Sequence, residues 1–274
     1  MPELPEVETI VHGLREEQGM YGASITGCRI TNAEILWERT IANMGAESFC
    51  AQIRGQTIQS ISRRGKFLVF SLDIDTMLIH LRMSGNIRVE ETGTVFQTHD
   101  RLILEFENGL RMAFNDTRKF GRVWLMSNPE LVLGDLGPEP LDENLTAEQF
   151  HCMLQEHSRQ IKPLLMDQRF LAGLGNIYTD EALHRAKIHP LTQSDGLTLE
   201  KSACLLHAIR EVLSEGIRRN GASVDWVYRG GDFQNQLRVY GRKGEPCLVC
   251  GGEIVRLVVG QRGTHICPNC QRLK

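Results

Sequence analysis

The chain has 274 residues, is 41% hydrophobic and 24% charged, and carries a formal net charge of −3. That length buries a sizeable core without disulfides. No apolar run nears the roughly 18 residues of a membrane helix and no basic, apolar leader opens the chain, so about two domains in the cytoplasm are expected, with no membrane. The small negative total argues against a polyanion partner, but the charges are uneven. Residues 1–150 hold 14 Lys+Arg against 22 Asp+Glu, whereas residues 229–274 hold 8 against 3. Arg63, Arg64 and Lys66 cluster, as do Arg118, Lys119 and Arg122, and local patches rather than totals set attraction to nucleic acid. Each patch taken singly also reads as a solvated face.

The first nine residues, MPELPEVET, place prolines at 2 and 5 and acids at 3, 6 and 8. Val7, Ile10, Val11 and Leu14 recur on one helical face, predicting a helix over 5–18 with Pro5 in its first turn. Short strand-like runs follow at 25–30, 57–61, 66–72, 77–83, 86–90, 102–107, 110–114 and 122–126. Several alternate, as in Leu102, Leu104 and Phe106, and Asn108-Gly109 marks a turn, which together suggest a β-sandwich over 1–135. LGPEPLDE (136–143) is a Pro/Gly-rich break. The period then becomes helical, with helices expected at 146–155, 159–167, 177–186 and 199–219 in a domain spanning 143–228. Thr146 with Gln149 forms a capping box. Residues 221–234 read as a loop, and 237–274 as a small unit of its own. The fold class is α+β.

Cys247-x2-Cys250 and Cys267-x2-Cys270 bracket sixteen residues. Four thiolates so spaced make a closed tetrahedral site for one structural Zn2+. A tail this short has little core, so metal binding supplies much of its folding energy. His265 lies near but is not needed. Between the knuckles, Gly260 and Gly263 flank Arg262, the pattern of a hairpin tip bearing one cation. Cys28, Cys50, Cys152 and Cys204 follow no ligand spacing and read as buried small hydrophobes. GLGNIYTDEAL (173–183) ends one helix and opens another with Asn176 at the N-cap. It reads equally as a phosphate-binding helix start or as a plain connector.

Pro2 becomes a free secondary amine once Met1 is removed. An α-amino group titrates at about 7.7–8.0 against about 10.4 for lysine, so part of it is neutral and nucleophilic near pH 7. Such an amine attacks an aldehyde-level carbon to give an iminium, with Glu3 as general acid and Glu6 as a second carboxylate. N-terminal helix capping accounts for the same residues.

Jointly, PELPEVET, RRGKF (63–67), HLRMSG (80–85), DTRKFG (116–121), LGPEPL (136–141), GLGNIYTDEAL and the VYGRKGEPC…QRGTHICPNCQ tail resemble the formamidopyrimidine-DNA glycosylase family, shared with endonuclease VIII, over essentially the whole chain. The resemblance implies an N-terminal helix plus β-sandwich, a helix–two-turns–helix domain and a zinc finger. It implies a monomeric bifunctional glycosylase and AP lyase of base-excision repair, acting on damaged double-stranded DNA in a bacterial cytoplasm. Oxidised purines (8-oxoguanine, formamidopyrimidines) would be removed and the strand cut by β,δ-elimination through a Schiff base. In that reading Pro2 attacks C1′, Glu3 protonates the sugar ring oxygen, Lys66 donates a proton in β-elimination and Arg262 assists δ-elimination. Asn176, Tyr240, His80 and His99 bind DNA. Met83, Arg118 and Phe120 fill the gap left by the extruded base, although read alone Met83 and Phe120 are ordinary core residues. Ser158 stands where the family often has a basic residue, with Arg159 or Lys162 compensating. The loop at 224–233 is about four residues shorter than usual, a boundary-level reading. It leaves open an oxidised-pyrimidine glycosylase of the endonuclease VIII type. A non-catalytic, zinc-dependent DNA-binding protein is the third reading, and needs neither Pro2 nor Glu3.

Overall fold

The computed structural model describes residues 1–17, 20–223 and 230–273. It divides into two compact units, Met1–Asp135 with Ala222–Gly231, and Leu136–Gly221 with the residues from Asp232 on.

The first unit opens with α1 (Leu4–Arg15), whose Val7, Ile10, Val11 and Leu14 are all in the core. Then come β1 (Ile30–Ile35), α2 (Ala46–Ile53), β2 (Ser60–Arg64), β3 (Phe67–Ser71), β4 (Thr76–His80), β5 (Gly85–Glu91), β6 (Asp100–Phe106), β7 (Leu110–Asp116), β8 (Arg122–Met126) and the short α3 (Glu130–Leu133). The strands form two four-stranded antiparallel sheets, ordered β1-β6-β7-β5 and β2-β3-β4-β8. A single apolar core, from Val7 through Phe49, Phe70, Leu104 and Phe114 to Leu125, joins the two sheets and α1. Apolar area removed from water, not hydrogen bonding alone, is what holds two sheets face to face.

The expected strand at 25–30 instead begins at Ile30, because Gly27 (φ +82) turns the chain just before it. α2 was not expected: Gly45 begins it and only Phe49 and Ile53 reach the core.

The second unit contains α4 (Ala147–Gln155), α5 (Ile161–Leu165), α6 (Asn176–Arg185), α7 (Leu199–Arg218), and the hairpin β9 (Val255–Val259) and β10 (Arg262–Ile266). Thr146 Oγ1 accepts from Gln149 N–H while Gln149 returns Oε1 to Thr146 N–H, the expected capping box. The tail, read as a small unit of its own, lies within this second unit. Residues 224–229 of the expected short loop lie outside the described residues. No helix among the described residues is long and apolar enough to cross a membrane.

Candidate active site

Pro2, Glu3 and Glu6 are all buried at the start of α1. Glu3 N–H donates to Glu6 Oε2 at 2.7 Å, and Ala222 N–H donates to Glu6 Oε1 at the same distance. Glu6, expected as a second catalytic carboxylate, therefore has each oxygen taken by a main-chain donor. Its geometry is that of a clip between the N-terminus and residue 222. Ser223 closes the base of that segment, its Oγ donating to Gly231 O and accepting Gly231 N–H.

Lys66 follows Gly65 (φ +56) in the β2–β3 turn and is 4% exposed. The turn is fastened to α1 through Arg63, whose Nε donates to Glu8 Oε2 at 2.6 Å and whose Nη1 donates to Gly65 O. Glu3, Glu6 and Lys66 are thus each withdrawn from water, the environment in which ionisable groups are most readily perturbed.

His80 was expected among the residues that bind DNA, and so open to solvent. The structure corrects this, because four of the five residues of β4 are buried. His80 stacks edge-on to Phe67 at 4.7 Å and its Nδ1 accepts Arg82 N–H at 3.0 Å. Burial first, then the charges of Arg82 and Lys66, push its pKa down to about 3, so the ring is neutral.

Met83, 37% exposed, sits in the turn after β4, and Phe120, 49% exposed, in the loop between β7 and β8. Arg118 lies over the Phe120 ring at 4.8 Å. These apolar side chains are presented to solvent rather than to the core, which a core reading of either does not explain. His99 is half-buried, its carbonyl accepting Asp116 N–H at 2.9 Å and its Nδ1 lying 3.3 Å from Arg101 Nη2.

In the second unit, α6 carries a polar stripe that the sequence did not announce. Asn176 Nδ2 donates to Gly263 O at 3.0 Å. Asp180 Oδ2 accepts His265 N–H at 2.8 Å, and Glu181 accepts the N–H groups of Arg238, Val239 and Tyr240. Burial pushes the Glu181 pKa up, against the pull of those three bonds. Residues 176, 180 and 184 fall on one helical face, and that face mounts the tail. The N-cap is Gly175, not Asn176, whose side chain serves the hairpin instead.

Lys162, expected as a DNA-binding residue compensating for Ser158, is instead fully buried, its Nζ donating to Asp180 Oδ1 at 2.6 Å and Thr264 Oγ1 at 2.8 Å. Arg159 is exposed and pairs with Asp167 at 2.9 Å. Tyr240 packs edge-on to His265 at 5.1 Å. Arg262 is exposed beside the hairpin tip formed by Gly260 (φ +54) and Gln261 (φ +61).

The Sγ atoms of Cys247, Cys250, Cys267 and Cys270 all lie within 4.8 Å of one another. Cys250–Cys267 and Cys247–Cys270 separations are 3.4 and 3.9 Å. Zinc–sulfur bonds of about 2.3 Å in a tetrahedron need sulfurs about 3.8 Å apart, so the set fits one structural zinc. His265 Nδ1 faces Asp180 and lies outside this set. Of the other cysteines, Cys152 and Cys204 are exposed rather than buried as expected.

Buried Pro2 and Glu3 open a helix and β-sandwich unit, and along the chain a helical unit with four clustered cysteines follows, an order of parts that known proteins share. Family profiles match in chain order: formamidopyrimidine-DNA glycosylase N-terminal domain at 1–123, its H2TH domain at 136–227, and the zinc finger found in FPG and IleRS at 244–273. A formamidopyrimidine-DNA glycosylase of Protochlamydia amoebophila is 43% identical, over 99% of this chain and 100% of that protein. One from Chloroflexus aurantiacus is 44% identical, over 99% and 98%. The crystal structure of the Lactococcus lactis enzyme, bound non-covalently to DNA containing an AP site, superposes with a TM-score of 0.90 at 38% identity, covering 99% of this chain and all of that one. The chain belongs to the formamidopyrimidine-DNA glycosylase family.

Proposed function

We propose that this glycosylase excises oxidised purines from damaged double-stranded DNA and then cuts the strand as an AP lyase, acting as a monomer on cytoplasmic, nucleoid DNA. The observation that carries the reading is the buried Pro2–Glu3 terminus, with Glu3 N–H clipped to Glu6. After loss of Met1, the Pro2 nitrogen attacks C1′ of the extruded nucleotide and the C1′–base bond breaks, the base leaving with the bonding pair. Glu3 protonates the sugar ring oxygen, so the ring opens to an iminium at C1′. That electron sink acidifies C2′; loss of its proton expels the 3′ phosphate, and a second elimination expels the 5′ phosphate. Lys66 serves proton transfer in the first elimination and Arg262 the second. Met83, Arg118 and Phe120 occupy the emptied stack, with Arg118 suited to bidentate bonds to the orphaned base. His99, Asn176, Tyr240 and Arg159 contribute along the backbone, while His80, Lys162 and Glu6 act from within the protein as supports.

Borohydride reduction in the presence of abasic duplex tests this. The expected result is a covalent adduct on the N-terminal peptide, lost when residues are added ahead of Pro2 and partly kept in Pro2→Gly, which retains a primary amine. Full activity with the N-terminal extension refutes the amine's role. Excision across duplexes carrying oxidised purines or oxidised pyrimidines separates the two base preferences, and product formed with either excludes a pure binder.

A further inference from the structure

The turn carrying Met83 and the loop carrying Arg118 and Phe120 come from different parts of the sequence, yet they share one support. Asp116, the last residue of β7, is 1% exposed. Its Oδ1 accepts from the Ser84 hydroxyl and from Arg118 N–H at 3.2 Å, and its Oδ2 accepts Gly121 N–H at 2.7 Å. Arg118 N–H also donates to Ser84 Oγ at 3.0 Å. Main-chain bonds hold Asp116 itself, its N–H donating to His99 O at 2.9 Å and its carbonyl accepting Arg101 Nε at 2.8 Å.

The packing beneath the loops repeats the arrangement. A Cβ on Gly85 would lie 2.5 Å from Leu81 O and 2.9 Å from the Phe114 ring, and one on Gly121 would lie 2.3 Å from the same ring. Both loops therefore press on one fully buried phenylalanine two residues before Asp116. A buried carboxylate ordinarily takes a cation as partner. Among the described residues no ion pair reaches this one; its partners are a hydroxyl and two loop amides. Bonds to a charged acceptor are stronger than neutral ones, and amides at fixed points of the chain hold a loop's shape as a swivelling side chain cannot.

We infer that Ser84 and Asp116 are positioning residues that lock the two loops into one wedge, so that Met83, Arg118 and Phe120 enter the duplex together. This rests on the proposed role of those three side chains in filling the emptied stack. The inserted groups must be rigid for unstacking to be driven by binding, since ordering the loops at insertion would oppose it.

The test compares Ser84→Ala and Asp116→Asn with the wild type in two assays. One is single-turnover excision of 8-oxoguanine from a duplex, with 2-aminopurine next to the lesion reporting unstacking. The other is borohydride trapping on a single-stranded abasic oligonucleotide, where no stack has to be opened. Both variants are expected to slow duplex excision about tenfold or more, the scale of losing a bond to a charged acceptor, and to blunt the fluorescence rise. Trapping on the single strand stays within about twofold, since it needs no wedge. In a Met83→Ala/Phe120→Ala background the further loss from Ser84→Ala shrinks, because the lock then has less to position. Equal losses in both assays, or duplex excision within about twofold of wild type, overturn the inference. If Met83→Ala and Phe120→Ala themselves leave the 2-aminopurine signal unchanged, the wedge reading fails instead. Circular dichroism melts of each variant separate unfolding from loss of positioning, and Ser84→Thr, which keeps the hydroxyl, restores duplex excision in full or in large part.

Discussion

Lys162 Nζ lies 2.6 Å from Asp180 Oδ1 with both side chains fully buried, and the same nitrogen donates to Thr264 Oγ1 at 2.8 Å. Eighteen residues separate the ion pair along the chain, and Thr264 lies a further 84 beyond Asp180. One amine thus joins α5, α6 and β10. Removing one partner of a buried pair strands the other charge, at a cost of about 3–5 kcal/mol. Lys162→Met is expected to lower stability on that scale in urea unfolding, and the double variant Lys162→Met/Asp180→Asn to recover part of the loss. A double variant less stable than Lys162→Met alone would contradict an electrostatic origin.

Zinc removal should act locally first. In Cys247→Ala, or after chelation, the protein is expected to lose its single equivalent of metal. Hydrogen-exchange protection should vanish across Val255–Ile266 while the β-sandwich amides remain protected. DNA affinity should fall with it, since Arg262 rides on that hairpin. Tight, salt-sensitive binding by a zinc-free protein would remove the finger from the interface.

The neutral ring of His80 makes stability depend on pH. Its folded pKa lies near 3 against 6.5 for the free side chain. Above pH 6.5 both states are neutral and the ring has no effect. Between the two values the unfolded chain takes up a proton that the folded one refuses, so stability falls as pH falls, by at most about 1.4 kcal/mol per unit. Urea midpoints at pH 7 and pH 5 should therefore drop more for the wild type than for His80→Gln. Identical drops would place the pH dependence elsewhere.

The capping box at α4 offers a calibration far from any chemistry. Thr146→Ala is expected to cost about 1 kcal/mol, and Thr146→Ser a few tenths, leaving zinc content and adduct formation unchanged. Thermal denaturation of the three proteins checks it.

What the sequence disclosed depended on whether the signal was local. The stripe Val7, Ile10, Val11, Leu14 fixes α1 because each turn of a helix repeats its burial, and β8 occupies 122–126 as expected. The paired knuckles gave the metal set because thiolate spacing is itself geometry. Lys162 was misread because a lysine three residues after Arg159 reads as part of one basic patch, and nothing near it in sequence reveals Asp180. His80 was misread because a motif fixes a residue's place along the chain but not whether a neighbouring ring, here Phe67, covers it. Ser84 and Asp116 lie inside motifs whose chemistry points to their neighbours Met83 and Arg118, and a hydroxyl and an acid at turns ordinarily face water.

Glu181 grips only the main chain of residues 238–240. That anchor itself places no demand on the side chains of the gripped segment, although burial restricts Val239 and the ring contact with His265 restricts Tyr240. The clamp is therefore expected to seat a tail grafted from a relative, provided the graft keeps the four cysteines, a hydroxyl at Thr264 for Lys162, and Arg262 on the hairpin.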